Sequence, residues 1–196
     1  MTKPLFLFVG KSGSGKTTIV KKLESVYGLN AVKSYTTRAQ RNENDTDHTF
    51  ISNEEFDVLK DIIAYTEYNG CKYCATKQQI DDADLYIVDP VGVQTLLNKY
   101  KDQGRQIVVF YLETNIKTRI DRMHNRGDCD TAVLSRIYND EEYDWYSKLN
   151  HSVNSYNFDK HKDNAWLIRV NANKNEKGVF EIMKGCIDSL KEGWLL

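Results

Sequence analysis

The stretch Gly10-Lys11-Ser12-Gly13-Ser14-Gly15-Lys16-Thr17-Thr18 has the form G-x-x-x-x-G-K-[ST]. The apolar run Leu5-Phe6-Leu7-Phe8-Val9 precedes it, and a helical pattern from Thr17 to Tyr27 follows. Strand, glycine turn and helix in that order form the context in which the motif binds phosphate. Glycines let backbone N–H groups converge on an anion, and the opening helix turns the positive end of its dipole toward it. The stretch predicts a nucleoside triphosphate site made of Gly10, Ser12, Gly13, Ser14, Gly15, Lys16, Thr17 and Thr18. Lys16 would reach the β- and γ-phosphates, and the Thr17 hydroxyl would ligate Mg²⁺.

Working outward, four further segments read as strands: Ala31 to Tyr35, Asp84 to Val88, Gln106 to Leu112 and Ala165 to Val170. Helical patterns lie at Thr17 to Tyr27, Val91 to Gln103, Ile116 to Asn125, Thr131 to Asn150 and Lys177 to Lys191. The alternation predicts an α/β fold of the P-loop NTPase type, a five-stranded parallel sheet covered by helices on both faces. Its 196 residues are expected to form one domain, with a core of residues 1–33 and 81–196. A polar, aromatic insertion at about 34–80 and a short arginine-bracketed segment at about 125–136 fall outside the alternation. Both would lie beyond the carboxyl ends of the strands, where ligands bind in open α/β sheets.

With 27 basic and 28 acidic side chains, the net charge of −1 argues against a nucleic-acid-binding surface. Phosphate recognition should rest on a few placed arginines, and the partner should be small. Five apolar residues before the phosphate loop are too few for a signal peptide, and no run approaches membrane-spanning length. The expectation is a cytoplasmic protein without membrane contact. Four cysteines, Cys71, Cys74, Cys129 and Cys186, then read as free thiols. A zinc site would need Cys71-x-x-Cys74 to meet His124 and Cys129 across the fold, and no second C-x-x-C answers the first.

Past the loop come Ser34-Tyr35-Thr36-Thr37-Arg38, then Arg41, then Asp47-His48-Thr49-Phe50. This order of phosphate loop, S-x-T-T-R, second arginine and D-x-x-F resembles guanylate kinase, the family that phosphorylates GMP with ATP. The resemblance runs from about residue 5 to residue 173 and implies ATP and a nucleoside monophosphate as substrates, with Mg²⁺. It implies that residues 34–80 bind the monophosphate and that Ser34, Arg38, Arg41 and His48 face it. Guanidinium groups offer planar forks of donors that match phosphate oxygens; the plainer reading is a pair of solvated loop arginines. Gly70-Cys71-Lys72-Tyr73-Cys74-Ala75-Thr76-Lys77 is similar to the family's G-N-x-Y-G-T-S-K, which puts Tyr73 on the same phosphate. Asp89, ending Ile87-Val88-Asp89, falls at the strand-end carboxylate that orders Mg²⁺, or else caps the next helix. Arg122, Arg126 and Arg136 would fold over both phosphates as a lid, whereas Arg119 is not required by the pattern. Asn171, in Arg169-Val170-Asn171-Ala172-Asn173, matches a loop that contacts adenine.

The resemblance fails where the base is read. The family's guanine-binding glutamate falls on Ala64 and its companion hydroxyl on Ala75. Either Glu67 and Thr76 substitute after a local shift, or the acceptor base is altered. Two other readings remain beside a nucleoside monophosphate kinase. One is a kinase like the ribose bisphosphate phosphokinases, and the other is a non-catalytic phosphopeptide-binding module, against which Lys16, Thr17 and the lid arginines argue.

Overall fold

The computed structural model describes residues 3–40, 43, 45–68, 70–101, 104–141, 144–158, 165–173 and 175–191. Strand β1 (Leu5–Val9) is buried at every residue, and its side chains alternate between two hydrophobic clusters. Leu5, Leu7 and Val9 enter one cluster, and Phe6 and Phe8 enter the other. A strand covered on both faces is uniformly apolar for this reason. The elements after β1 are α1 (Lys16–Tyr27), β2 (Tyr35–Thr36), β3 (Thr49–Phe50), α2 (Asn53–Asp57), β4 (Ile62–Tyr68), β5 (Cys71–Thr76) and α3 (Lys77–Asp81). Then come β6 (Leu85–Ile87), α4 (Pro90–Lys99), β7 (Ile107–Glu113), α5 (Ile116–Asn125), α6 (Asp130–Glu141), α7 (Trp145–Phe158), β8 (Ala165–Asn171) and α8 (Glu176–Lys191).

The main sheet is parallel in the order β6-β1-β7-β8. Residues of α4 and α7 pack on one face of it, and residues of α1 and α8 pack on the other. Among the described residues it has four strands where five were expected. The segment around Ala31 contributes a single bridge to Leu85, with Val32 N–H donating to the Leu85 carbonyl at 2.8 Å. Tyr35 and Thr36 then pair with β3 and β5 in a second sheet, so their backbone groups cannot extend the ladder along β6. The helix expected from Thr131 to Asn150 is two helices. Asp144 restarts the chain as α7, accepting from the Ser147 N–H at 3.1 Å.

Residues 34–80 fold as the second sheet, ordered β3-β2-β5-β4 around the antiparallel hairpin β4–β5. Arg105, buried, fastens the return from this insertion to the core by donating to the carbonyls of Ile80, Ala83, Lys3 and Pro4. Among the described residues no helix is long and apolar enough to cross a membrane.

Candidate active site

The phosphate loop leaves β1 at Gly10, where an added Cβ would stand 2.8 Å from the Leu112 carbonyl of the neighbouring strand. Gly13 has φ +76° and lies so near α5 that a Cβ would meet the Arg119 carbonyl at 2.5 Å. Gly15, at φ 95°, is the N-cap of α1 and supplies no side-chain cap. The first N–H groups of that helix, including those of Lys16, Thr17 and Thr18, cannot be satisfied within it. An open, uncapped N-terminus of this kind suits an anion. Ser14 N–H closes the turn on the Lys11 carbonyl at 3.1 Å, and the Ser12 N–H is taken by Asp140 at 2.7 Å. Ser12 and Ser14 therefore differ from the expectation of a loop whose N–H groups all face phosphate.

Lys16 folds back over the loop and donates to the Gly10 carbonyl at 2.5 Å and the Lys11 carbonyl at 3.2 Å. Burial lowers its amine to about pH 8, Arg126, Arg119 and Arg136 push the same way, and Asp140 opposes them. Lys16 stands where two grooves meet. One groove, on the far side of the loop, is lined by Gly13, Thr17, Thr18, Arg122, Arg126 and Ala172. The other is lined by Ser34, His48, Thr66, Tyr73, Asp89 and Arg136.

In the second groove Ser34 Oγ and His48 Nδ1 are hydrogen-bonded at 2.9 Å, and the imidazole packs edge-on to Tyr73 and Phe50. Arg38 is positioned by Thr36, whose hydroxyl accepts from Arg38 N–H at 3.1 Å and donates to the Lys72 carbonyl at 3.0 Å. One end of its guanidinium bonds Asp45 at 2.9 Å, while Nε and Nη2 are buried with no hydrogen-bond partner among the described residues. Buried unsatisfied donors of this kind call for an anion. Arg41 lies outside the described residues.

Asp89 is the N-cap of α4: Oδ1 accepts from Gly92 N–H at 2.7 Å, and Oδ2 accepts from the Thr66 hydroxyl at 2.6 Å. Burial raises its carboxyl above the usual range, against those two bonds. The structure does not bring Asp89 and Thr17 into one lining; Thr17 shares its hollow with Ile87 instead. Glu67 is exposed and accepts from Tyr65, which lines the groove, but is not itself part of the lining. Thr76 caps α3 and faces a separate hollow beside Lys60 and Asp61. Neither supplies the missing base contact. Cys71 and Cys74, three apart on β5, point to opposite faces and form no shared ligand pair.

Where the sequence placed a lid, at about 125–136, the structure has a four-residue connection from α5 into the first turns of α6. Arg122 donates to the carbonyls of Ser14 and Ala172 at 3.1 and 3.0 Å, and burial lowers its basicity. Arg126 makes a two-pronged contact with Asp128, and Arg136 approaches the same carboxylate at 3.5 Å. Asn171, at the end of β8, accepts from Asn173 N–H at 3.1 Å.

Comparison with known proteins points one way. The chain is 26% identical to the guanylate kinase of Fusobacterium nucleatum over 162 residues, which is 76% of this chain and 86% of that protein. It is 26% identical to that of Legionella pneumophila over 170 residues, 80% of each, and 29% identical to that of Bartonella quintana over 143 residues, 67% of this chain and 63% of that protein. Over most of its length the chain is similar to guanylate kinases. The crystal structure of guanylate kinase from Anaplasma phagocytophilum shares the fold, with a TM-score of 0.53 over 95% of this chain and 85% of that one at 13% identity. No protein-family model matches.

Several residues of the site escaped the sequence reading. Thr66 lies two positions from Ala64 on one strand face, so the period of two pointed to it. Asp140 is four residues past Arg136 on α6, a spacing that puts both on one helix face. Tyr86 carried no signal; it lines the second groove from β6.

Proposed function

We propose that the protein transfers the γ-phosphoryl group of ATP to a nucleoside 5′-monophosphate. The observation that carries this reading is Lys16, standing where a groove on the helix side of the phosphate loop meets a groove walled by the insertion. In-line phosphoryl transfer needs a donor and an acceptor held on either side of one cation. In this reading Gly13, Gly15, Lys16, Thr17 and Thr18 hold the donor phosphates, and Arg122 and Arg126 close over them. Arg38, Tyr73, Ser34 and His48 hold the acceptor, Arg136 lies between the two substrates, and Arg41 is assigned to the acceptor phosphate by the sequence resemblance alone. Asn171 borders the adenine.

Mg²⁺ fits the Thr17 hydroxyl together with phosphate oxygens and water, the donor set this ion prefers. When bound it would neutralise charge developing on the transferred group. Both Asp89 oxygens are engaged by Thr66 and Gly92, which favours a place for Asp89 in the acceptor wall over one on the metal. No side chain need act as a nucleophile; catalysis comes from placement and from excluding water as the lid closes. The relatives are named guanylate kinases, which favours a nucleoside monophosphate over a sugar phosphate or a phosphopeptide. A cytoplasmic setting belongs to the same reading. The test is ADP formation from Mg-ATP with GMP, AMP, CMP, UMP and ribose 1,5-bisphosphate. Turnover with a nucleoside monophosphate supports the assignment, and phosphopeptide binding without turnover on any acceptor rejects it.

A further inference from the structure

Arg119 and Asp140 have side chains only 2% and 1% exposed, and they form an ion pair at 2.9 Å between α5 and α6. Both also touch the same residue of the phosphate loop. Ser12 N–H donates to Asp140 Oδ2 at 2.7 Å, and Arg119 Nε donates to the Ser12 carbonyl at 2.9 Å. Ser12 is thus gripped by both of its backbone polar groups, and the ion pair closes the ring. The grip continues to either side. Arg119 also bonds Glu141, which accepts from Lys11 Nζ at 2.7 Å, and the Arg119 carbonyl abuts Gly13. The remaining Asp140 oxygen accepts from the Tyr68 hydroxyl of the acceptor hairpin at 3.3 Å.

A buried ion pair is often no more stabilising than apolar residues of the same volume. Folding alone therefore does not account for this one. A glycine-rich loop, on the other hand, loses much conformational freedom when a nucleotide fixes it, and an outside grip removes that loss in advance.

We propose that Arg119 and Asp140 are positioning residues that preform the phosphate loop for ATP by clamping the backbone of Ser12. This rests on the kinase reading above. Neither side chain touches substrate in this assignment; both act through the loop.

The discriminating variant is the apolar double substitution Arg119→Leu/Asp140→Leu, which removes the clamp without leaving a buried orphan charge. The expected result is a melting temperature within a few degrees of wild type together with kcat/KM for Mg-ATP lower by about 100-fold, the effect of misplacing a reacting group by about 1 Å. A stable double variant with wild-type kcat/KM overturns the proposal. Should the double variant fail to fold, the near-isosteric Asp140→Asn serves: a raised KM for Mg-ATP at full folded fraction supports the clamp, and a wild-type KM overturns it. If the wild type forms no ADP with any acceptor, the kinase reading fails separately. Calorimetry of Mg-ATP binding then decides, weaker binding by the variants supporting the clamp and equal binding overturning it.

Discussion

Ala64 and Ala75 face each other across the β4–β5 hairpin, both fully buried in the hydrophobic cluster that also holds Tyr86. They occupy the positions at which the family resemblance places its base-reading carboxylate and hydroxyl. Here those positions are core, and the polar wall of the acceptor groove is instead made from Thr66 and Asp89. A site that lacks a dedicated partner for a base loses the discrimination that such a partner gives. GMP should therefore be preferred over AMP, CMP and UMP by well under the roughly 10⁴-fold that a hydrogen-bonding site reaches. Initial rates across the four acceptors measure this, and a GMP preference of that size would refute the altered wall.

The Thr66 hydroxyl donates to a buried, desolvated Asp89 alongside the Gly92 N–H. Thr66→Val removes that bond at nearly constant volume. The acceptor KM should rise by about tenfold or more, as expected for a hydrogen bond to a charged group, with the KM for ATP unchanged. Steady-state kinetics with each substrate varied in turn separates the two sides.

Burying Lys16 costs stability. Its amine is lowered from 10.5 to about 8, mainly by burial. Below pH 8 it is charged in both folded and unfolded chains, and the penalty is present in full, roughly 3 kcal/mol at about 1.4 kcal/mol per unit. Between pH 8 and 10.5 the unfolded chain binds more protons, so stability rises with pH and the penalty fades. Lys16→Met should raise the melting temperature of ligand-free protein at pH 7, flatten its pH dependence above 8, and lower turnover by orders of magnitude. A lower melting temperature at pH 7 counts against the assignment.

Removing Arg38 should weaken the acceptor and spare ATP. Arg38→Gln takes away two buried donors that no described residue satisfies, so the acceptor KM is expected to rise by about 10- to 100-fold. The melting temperature should fall as well, because the guanidinium is only 13% exposed and faces Asp45 at 2.9 Å. Equal loss of Mg-ATP affinity, measured by calorimetry, would move this arginine to the donor side.

Asp128 holds Arg126 and stands 3.5 Å from Arg136, so on the proposed assignment it should compete with nucleotide for both arginines. Asp128→Asn should tighten Mg-ATP binding two- to fivefold, in line with the roughly 1 kcal/mol upper range of exposed ion pairs. The gain should shrink as salt is added.

Much of this was legible in the chain. The phosphate loop declared itself because its backbone geometry tolerates few residue types, and α5 was read at its true limits because its apolar period is clean. The fifth strand was not legible, since pairing partners are chosen by the whole fold and Tyr35 found β5 before β6. Thr76 was misplaced because a hydroxyl in sequence does not reveal whether it faces a groove or closes a capping box. Arg119 was passed over as dispensable, although its burial and its bonds to Ser12, Asp140 and Glu141 make it one of the most constrained side chains near the site.

The single bridge at Ala31 has a mechanical side. The insertion leaves the core through residues 30–33 and returns through residues 81–84, and these two crossings run beside each other. Asn30 N–H donates to the Asp84 carboxylate at 3.1 Å, and the Asn30 carbonyl accepts from Asp84 N–H at 2.8 Å. Beyond them the Lys33 carbonyl accepts from Gln79 at 2.8 Å, and Arg105 pins the returning limb. A full fifth strand would have welded the outgoing limb to the sheet along its length. One rung joins the outgoing limb to the sheet at a single point instead, so that what ties the second sheet to the first is the packing of Ile63, Ala64 and Ala75 in the core cluster rather than a shared ladder.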